Sequence, residues 1–460
     1  MSAARIWMRR AFLLDRLGSD LVSIAVRTFL PPMVEEVKFL AMHPKKLVPA
    51  PGPGTEWDAS HWSYVGEGNT NIVVRYAGPE LWPFVFDGNR LALRIPKVDK
   101  KRASNVPPDE MIEKVWSQIF PYEQLPVLHK VRISCAHGIY GSGAQRYFLT
   151  ELAARISIVR PAHRCRDMID FDTEHIWVTR DESQGLVFEI KPKCGYLPSA
   201  ETTNNPMKTR YSRYKIHKIL SAAEVEQGKG RSHYHVPPIS YAEWEACYDP
   251  LDLFSGDADR VQKAAVALVA NWRAGGNNLR IFHNGKALEP DSGLARKLVG
   301  KDDGIIASRL AVVLKSTSMQ DTLQLLKYWQ AYFDPLGIEE LERAWRKVLP
   351  GVPFGDNAWI TESTVSEYAH LINEWKSRGP IFATTDLSSL RAQLRAHLLC
   401  ATCKDLSIMI TCAYDLSSWR LSFVDLDTKP VTKLAGYMQA DKIESTLFLE
   451  WMQVHACLAP

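Results

Sequence analysis

The segment Val187–Gly195, which reads V-F-E-I-K-P-K-C-G, constrains the fold of this chain most strongly. In an extended backbone alternate side chains share a face, so Glu189, Lys191 and Lys193 are predicted to line one side of a strand, with apolar residues on the other. Pro192 cannot donate a ladder hydrogen bond, so the strand is predicted to end there or to lie at a sheet edge. Because two neighbouring ammonium groups repel each other, the pair indicates either an anion-binding site or a solvated edge strand.

Composition limits the classes of function. The chain has 460 residues, of which 46% are hydrophobic and 23% charged, so it is long enough for two domains or one large multilobed domain with a sizeable core. Its 56 basic and 52 acidic residues give a formal net charge of only +4, so a polyanion site requires a local cluster of basic side chains. Eight scattered cysteines indicate a reducing compartment, and no apolar run reaches the ~18 to 20 residues of a membrane span.

The first residues differ from the rest of the chain. Four arginines occur before residue 17 among apolar residues, which is typical of a basic amphipathic leader. An ordinary amphipathic helix, or an extension outside the folded domain, explains the same pattern. Proline and glycine recur over residues 49–54, which indicates a linker, so we expect the folded part to begin near Trp57.

Residues 64–76 are predicted to form a strand, a glycine-rich turn and a returning strand. Gly66 and Gly68 let the backbone approach a ligand closely, although a simple hairpin turn is the alternative. The next predicted strand, residues 90–97, carries Arg94, with Lys97 as a second cation. A glycine loop followed by a strand with a cation is the arrangement by which protein-kinase-like folds hold ATP phosphates.

Further basic residues recur along the chain. Two arginines flank a proline in R-P-A-H-R, and guanidinium groups suit bidentate phosphate contacts, although surface arginines are common. A helix predicted over residues 208–220 places three basic side chains on one stripe, which indicates an anion pocket or a solvated face. These candidate phosphate contacts are Arg160, Arg164, Arg210, Arg213 and His217.

Several other elements follow from local patterns. Residues 108–129 are predicted to be helical, residues 147–152 to form a strand or turn, and residues 300–375 to be mostly helical. Ser255 is expected to cap a helix that ends at two glycines, after which Asn278 and Arg280 lie at the mouth of a helix-to-strand junction. Turn asparagines that satisfy their own backbone are the alternative there.

The C-terminal third contains the strongest catalytic pattern. Asp405 precedes an apolar run over residues 406–412, and a second run over residues 419–424 ends at Asp425. If the two runs pair antiparallel across the short turn between them, both acids share one end of the sheet, as a catalytic base and a magnesium ligand must. Basic and aromatic side chains then recur every four residues, which predicts one helical face or a solvated helix; they are Lys429, Lys433 and Tyr437.

Together these motifs resemble the inositol-pentakisphosphate 2-kinase family. The resemblance rests on G-E-G-N-T-N, L-R-I-P-K, R-P-A-H-R, E-I-K-P-K-C-G-Y-L-P, D-P-L-D-L-F-S-G, N-N-L-R-I-F, A-T-C-K-D-L-S-I-M-I and D-L-D-T-K-P, in the order of the family. It implies transfer of the γ-phosphate of ATP to the axial 2-hydroxyl of inositol 1,3,4,5,6-pentakisphosphate, giving the hexakisphosphate.

The resemblance also implies an α/β (α+β) fold of the protein-kinase-related, two-lobed, inositol polyphosphate kinase type. On that basis residues 1–56 form an N-terminal extension and linker, residues 57–180 a nucleotide-binding N-lobe, and residues 181–460 a larger C-lobe that holds the inositol phosphate and the catalytic residues. We expect a monomer that binds ATP, Mg²⁺ and inositol pentakisphosphate, and neither nucleic acid nor membrane. The expected location is the nucleus or cytoplasm, with a mitochondrial leader as the alternative.

Site roles follow from the same resemblance. Asp405 is implied to be the base that accepts the 2-hydroxyl proton, and Asp425 the magnesium ligand. The implied nucleotide contacts are Gly66, Gly68, Asn69, Asn71, Arg94, Asn278 and Arg280. The implied inositol phosphate contacts are Arg160, Arg164, Lys191, Lys193, Arg213, His217, Lys429, Lys433 and Tyr437.

The chain departs from the family in two places: Ser221 replaces a frequent lysine, and Lys433 a common arginine. Some relatives carry a structural zinc, for which His397, Cys400 and Cys403 are candidates here, but the lack of a fourth ligand favours two buried thiols.

A catalytically silent inositol-phosphate- or RNA-binding module is the alternative function. Such a module has no need of the acid pair, because carboxylates in a polyanion pocket weaken binding unless a metal neutralises them.

Overall fold

In the computed structural model, the described residues are 57–455, with gaps at 69, 81–83, 87–88, 99–105, 133–141, 201, 204, 301, 357–362, 381–383, 385 and 415. The predicted leader and linker over residues 1–56 and the predicted nucleotide contact Asn69 therefore lie outside the described residues. Within the described part, no helix has the length and apolar character needed to cross a membrane.

A first antiparallel sheet occupies the N-terminal part of the described chain. Its strand order is β1-β2-β4-β6-β5, with β3 paired to β4. The strands are β1 Trp62–Glu67, β2 Asn71–Tyr76, β3 Val85–Phe86, β4 Asn89–Pro96, β5 His129–Val131 and β6 Ile176–Arg180. The predicted strand, glycine-rich turn and returning strand are confirmed as β1 and β2, and Arg94 lies on β4 as expected.

A second antiparallel sheet has the order β11-β10-β7-β8-β9. Its strands are β7 Leu186–Ile190, β8 Leu279–His283, β9 Lys286–Ala287, β10 Ser407–Cys412 and β11 Trp419–Val424. All five residues of β7 are buried, because β8 and β10 pair with it on either side. The strand ends before Pro192, as predicted, but the alternative of an edge strand is wrong. The predicted polar side of the strand is also wrong, because β7 ends at Ile190, so Lys191 and Lys193 lie beyond it and Glu189 is buried with its apolar neighbours.

The pairing of β10 with β11 is the antiparallel hairpin that the sequence predicts. Ser407 lies opposite Val424, and Cys412 lies opposite Trp419. The chain positions just before β10 and just after β11 therefore share one edge of the second sheet. Asp405 and Asp425 occupy these positions.

Thirteen α-helices occur in the described part of the chain. Two of them, α1 Pro108–Lys114 and α2 Ser142–Ser157, lie between strands of the first sheet in sequence. The others are α3 Arg213–Gln227, α4 Tyr241–Ala246, α5 Pro250–Leu253, α6 Ala258–Arg273, α7 Gly293–Leu298, α8 Asp303–Leu314, α9 Thr317–Tyr332, α10 Gly337–Val348, α11 Val365–Arg378, α12 Leu387–Asp405 and α13 Lys433–His455. Two antiparallel sheets with helices segregated around them define an α+β fold.

Each sheet has its own hydrophobic core. The first core packs β1, β2, β4 and β6 against α2, whose Phe148 and Leu152 are buried. The larger second core joins β7, β8, β10 and β11 to helices α6, α8, α9, α11 and α12. Trp116 and Phe120, although they precede β5 in sequence, belong to this second core, and the Phe120 ring lies 4.6 Å from that of Phe423. This segment therefore links the two halves of the molecule.

Four local predictions need correction. Residues 147–152 lie inside α2 and are not a strand or turn, because the buried positions recur at helical spacing. Of residues 108–129 only α1 is α-helical, since Pro121 and Pro126 interrupt the segment that follows. The cap of α6 is Asp257, whose carboxylate accepts two backbone N–H groups, in place of the predicted Ser255. The predicted helix over residues 208–220 begins at Arg213 and continues to Gln227.

Candidate active site

The predicted catalytic acids and the first lysine pair meet at one edge of the second sheet. Asp405 is the last residue of α12, and Asp425 follows β11 directly. Because β7 runs antiparallel to β10 and Ile190 lies opposite Ile408, the chain leaves β7 at this same edge. Lys191 and Lys193 follow there, so one sheet edge carries two carboxylates and two ammonium groups.

Asp405 is surrounded by lysines. Its Oδ2 lies 2.6 Å from Nζ of Lys429 and its Oδ1 3.7 Å from Nζ of Lys193, while 49% of the side chain is exposed. Burial alone raises the pKa of the Asp405 carboxyl, but the positive charges of Lys429 and Lys193 outweigh it and hold that pKa below its usual range. The carboxylate is therefore ionised near neutral pH and able to accept a proton.

Asp425 is more open to solvent than Asp405. Its backbone has a φ of +62°, a left-handed conformation that Asp tolerates better than most residues, and 54% of its side chain is exposed. Its closest cationic partner is Lys191, whose Nζ lies 3.4 Å from Oδ2. The described residues contain no cluster of three or more metal-binding side chains. A lone exposed carboxylate of this kind fits Mg²⁺ that takes its remaining ligands from water and nucleotide phosphates.

The backbone of Lys191 is fixed by Asn278, which is buried at 2% exposure. The N–H of Lys191 donates to the Asn278 carbonyl oxygen at 2.9 Å, and the Asn278 side-chain amide donates back to the Lys191 carbonyl oxygen at 3.3 Å. Tyr214 donates to the same side chain at 2.6 Å. Arg280, on β8, is half exposed and lies 4.0 Å from Glu189, which also accepts a 2.8 Å hydrogen bond from Ser407.

The sequence did not single out Asp427, which joins the two sheets. Its Oδ2 accepts hydrogen bonds from Thr70 at 3.3 Å and Asn71 at 3.2 Å, and it forms an ion pair with Arg94. The predicted nucleotide contacts Asn71 and Arg94 thus lie together on one carboxylate. The sequence contains the motif D-L-D at residues 425–427, but no neighbouring residue indicates that the second acid has a different role from the first. At Gly66 and Gly68 an added side-chain carbon would meet no atom within 4 Å, so both glycines face open space.

Arg160 and Lys97 lie in a buried cluster around Glu67. Arg160 donates two hydrogen bonds to Glu67, at 2.9 and 2.8 Å, and two more to backbone carbonyl oxygens, and only 7% of its side chain is exposed. Lys97 lies 2.5 Å from Glu67 and 3.0 Å from Asp167, with its side chain 1% exposed. Arg164 is more accessible, at 29%, and lies 3.7 Å from Asp167. The predicted phosphate contacts of Arg160 and Arg164 stay predictions.

Arg213 and His217 share Glu444 as a partner. Nδ1 of His217 lies 2.8 Å from one carboxylate oxygen of Glu444, and Nε of Arg213 lies 3.7 Å from the other. Both basic side chains are 44% exposed, whereas the Glu444 side chain is only 5% exposed. Burial raises the pKa of Glu444, but the charge of Arg213 and the hydrogen bond to His217 outweigh it and lower that pKa overall. Glu444 therefore holds the two basic side chains as a pair.

The remaining predicted contacts lie around α13. Lys433 is the exposed first residue of this helix, while Lys429 precedes it, so the predicted helical face includes only Lys433 and Tyr437. Tyr437 lies within electrostatic range of Lys429, Asp405 and Arg213, although burial is the main reason that its pKa is raised.

The cysteines near the site are buried thiols. Cys400 and Cys403 lie on α12 without solvent exposure, and burial raises the pKa of the Cys400 thiol to about 12. Nδ1 of His397 lies 2.9 Å from Asp334. These three residues are therefore accounted for by packing and by an ion pair within the described part of the chain.

A carboxylate set among lysines, with a second carboxylate open to a cation beside it, fits a phosphotransferase site for a polyanionic substrate. Residues 64–443 match the inositol-pentakisphosphate 2-kinase family, and the chain belongs to that family.

Named relatives agree with this assignment. The inositol-pentakisphosphate 2-kinase of Cryptococcus neoformans is 26% identical over 427 residues, which cover 85% of this chain and 94% of the relative. The Arabidopsis thaliana enzyme of the same name is 25% identical over 458 residues, covering 84% and 93% of the two chains. A Danio rerio relative, also named inositol-pentakisphosphate 2-kinase, is 24% identical over 249 residues, which cover 50% of this chain and 44% of that protein.

Proposed function

We propose that this chain transfers the γ-phosphoryl group of ATP to the 2-hydroxyl of inositol 1,3,4,5,6-pentakisphosphate and so forms the hexakisphosphate. The observation that carries the proposal is the position of Asp405, ionised between Lys193 and Lys429, at the sheet edge where Asp425 also lies. Membership of the inositol-pentakisphosphate 2-kinase family supplies the reaction class and the substrates.

The two halves of the molecule take different substrates in this proposal. The arrangement is that of a protein-kinase-related, two-lobed fold, in which the first sheet covers the nucleotide and the second carries the inositol phosphate. Gly66 and Gly68 leave room for phosphates at the end of β1, and Arg94 on β4 supplies a cation beside them. Asn278, just before β8, and Arg280, on β8, are the remaining proposed nucleotide contacts.

Charge matching supports the inositol pentakisphosphate as acceptor. Each phosphomonoester carries about −1.5 to −2 near neutral pH, so five of them bring about −7.5 to −10 to one ring. A single small cation site does not balance that charge, whereas a cluster of basic side chains does. The proposed contacts are Arg160 or Arg164, Lys191, Lys193, Arg213, His217, Lys429 and Lys433, with Tyr437 as a hydrogen-bond partner.

The chemical step follows from the position of the base. Asp405 accepts the proton of the 2-hydroxyl group, the hydroxyl oxygen forms a bond to the γ-phosphorus, and the bond from that phosphorus to the bridging oxygen of ADP breaks. Lys193 and Lys429 pair with Asp405, and in this proposal they hold the phosphates of the acceptor so that its 2-hydroxyl group faces the base. Bound Mg²⁺ supplies charge neutralisation on the ATP phosphates, and Asp425 would hold it.

The test is a direct assay of the full chain. Purified protein is incubated with ATP, Mg²⁺ and inositol pentakisphosphate, and the products are separated by anion-exchange chromatography. We expect a hexakisphosphate peak that grows with time and is lost in Asp405→Ala. Tight pentakisphosphate binding without any hexakisphosphate would contradict the proposal and favour a silent binding module.

A further inference from the structure

One buried glutamine on α9 connects the two segments that carry the candidate catalytic groups. Gln330 has no solvent exposure. Its Oε1 accepts the backbone N–H of Gly195 at 2.8 Å, while its Nε2 donates to the carbonyl oxygens of Lys193 at 2.8 Å and Cys403 at 3.0 Å. The side chain therefore makes three hydrogen bonds, two to the segment after β7 and one to the last turn of α12.

Asp334, two residues beyond the end of α9, makes a second connection between the same two segments. It accepts a hydrogen bond from Tyr196 at 2.7 Å on one side, and from Lys404 at 2.8 Å on the other, with His397 at 2.9 Å. Asp334 thus connects Tyr196, in the segment after β7, to Lys404, in the last turn of α12. Two polar side chains, one on α9 and one just after its end, therefore bridge the same pair of segments.

The segment after β7 and the last turn of α12 both contain backbone groups that need a hydrogen-bond partner from elsewhere. The last carbonyl groups of a helix have no partner within the helix, and that of Cys403 is one of them. Lys193 has a φ of +63°, which is uncommon for a residue with a side chain, and lies outside the strands. Gly195, whose N–H donates to Gln330, is also constrained, because a side-chain carbon added there would lie 2.5 Å from the Phe254 ring. Gln330 therefore satisfies groups that their own segments leave unpaired.

We propose that Gln330 is a positioning residue for phosphoryl transfer, because it fixes the backbone of Lys193 relative to the turn that ends in Asp405. This inference rests on the proposed function. Nζ of Lys193 lies 3.7 Å from Asp405, so a displacement of either backbone changes the distance between the cation that holds the acceptor and the base that deprotonates it. A misplacement of about 1 Å in such a site can lower the rate about 100-fold.

The test compares two buried glutamines. Gln330→Met keeps the approximate volume and removes all three hydrogen bonds. Gln393→Met is the matched control, because Gln393 is 2% exposed on α12 and its Nε2 has no hydrogen-bond partner in the described structure. At saturating substrates and below the unfolding temperature of both variants, we expect kcat of Gln330→Met to fall about 10- to 100-fold, with KM for ATP within about twofold of wild type. Gln393→Met should keep kcat near that of the wild type.

A double variant distinguishes an effect of Gln330 on kcat through Lys193 from a general loss of rigidity in the protein. If Gln330 acts through Lys193, adding Gln330→Met to Lys193→Met lowers kcat little further, whereas independent effects multiply. Should Gln330→Met fail to fold, Gln330→Glu keeps the acceptor for Gly195 and removes both donated hydrogen bonds. Equal kcat for the Gln330 and Gln393 variants, or a multiplicative double variant, overturns the inference. A wild-type chain that makes no hexakisphosphate instead overturns the proposed function and this inference with it.

Discussion

The ammonium group of Lys429 lies 2.6 Å from a carboxylate oxygen of Asp405, although the two residues belong to different elements of the second half of the chain. Lys429 follows β11, and Asp405 ends α12. The proposed base and a proposed phosphate contact are thus partners in an ion pair. In the proposed reaction a substrate phosphate would compete with the base for this lysine, so acceptor binding and exposure of the base would be coupled.

The first prediction concerns Asp405. Asp405→Ala should lower the rate of hexakisphosphate formation by at least ~100-fold, since a positioned general base contributes about 10² to 10⁴ in rate. Binding of the pentakisphosphate should persist or tighten, because the variant removes a negative charge between two lysines. Initial rates and calorimetry measure the two effects. Asp291→Ala, at a side chain 91% exposed, is the control, and turnover near wild type in Asp405→Ala would exclude Asp405 as the base.

The second prediction concerns substrate selectivity within the site. Lys191→Ala should weaken pentakisphosphate binding about 10- to 100-fold, because a hydrogen bond to a charged group contributes about 1.5 to 3 kcal/mol. Affinity for ATP should change far less. Lys286→Ala is the control, since Lys286 is an exposed residue of the same sheet on β9. Equal losses of both affinities in calorimetry would place Lys191 outside the inositol pocket.

The third prediction concerns the contact between the sheets. Asp427→Asn should tighten ATP binding about two- to fivefold at low salt, because Arg94 no longer pairs with a carboxylate that competes with the nucleotide phosphates. The effect is modest since a partly exposed ion pair contributes up to about 1 kcal/mol. Titration calorimetry with ATP alone measures it. Weaker ATP binding would show instead that Asp427 orients Arg94 for the nucleotide.

The fourth prediction separates the two arginines of R-P-A-H-R. Arg160→Ala should lower the free energy of unfolding by about 3 to 5 kcal/mol, because it leaves the buried Glu67 with one cation fewer. Arg164→Ala should leave stability nearly unchanged and weaken pentakisphosphate binding. Urea unfolding and calorimetry on both variants test this division, and the reverse assignment of the two effects would refute it.

The fifth prediction concerns pH. Burial raises the pKa of Glu67, but hydrogen bonds from Arg160 and Lys97 outweigh it and lower the pKa below the unfolded value of about 4.5. A lowered folded pKa gives stabilisation that is complete above the unfolded value and is lost as the pH falls through the folded one. Glu67→Gln should therefore cost about 3 kcal/mol at pH 7, with a difference from wild type that shrinks only below pH 4.5. Glu80→Gln, at a side chain 81% exposed, is the control, and a gap that does not depend on pH contradicts the assignment.

Local patterns predicted the parts of the fold that depend on neighbouring residues. The apolar runs before Asp425 predicted β10, β11 and their antiparallel pairing, and Pro192 predicted where β7 ends. The alternation expected for β7 is not seen, because both faces of that strand are covered by hydrophobic clusters. The short segment 147–152 was assigned wrongly because six residues fit a strand or one turn and a half of a helix equally well. Only the longer stripe that includes Ala144 reveals α2.

The support of the site could not be predicted in this way. Arg94 and Asp427 are 333 residues apart in sequence, and no periodicity relates them. Gln330 lies in a stretch that was correctly expected to be helical, but its three partners are backbone groups, which carry no side-chain signature. Such contacts depend on tertiary packing, so only a structure shows them.

The β10–β11 hairpin divides the chain into a part that can vary in length and a part that cannot. Six residues per strand at about 3.3 Å each place the turn over residues 413–418 about 20 Å from the catalytic edge. An insertion in that turn adds chain at the distant end and leaves the pairing of Ser407 with Val424 unchanged. One extra residue next to Ser407 or Val424 would shift the register at that edge and change the distance between the two acids. The turn is therefore the place to insert a reporter peptide, whereas the length and register of the two strands set how close Asp405 and Asp425 lie.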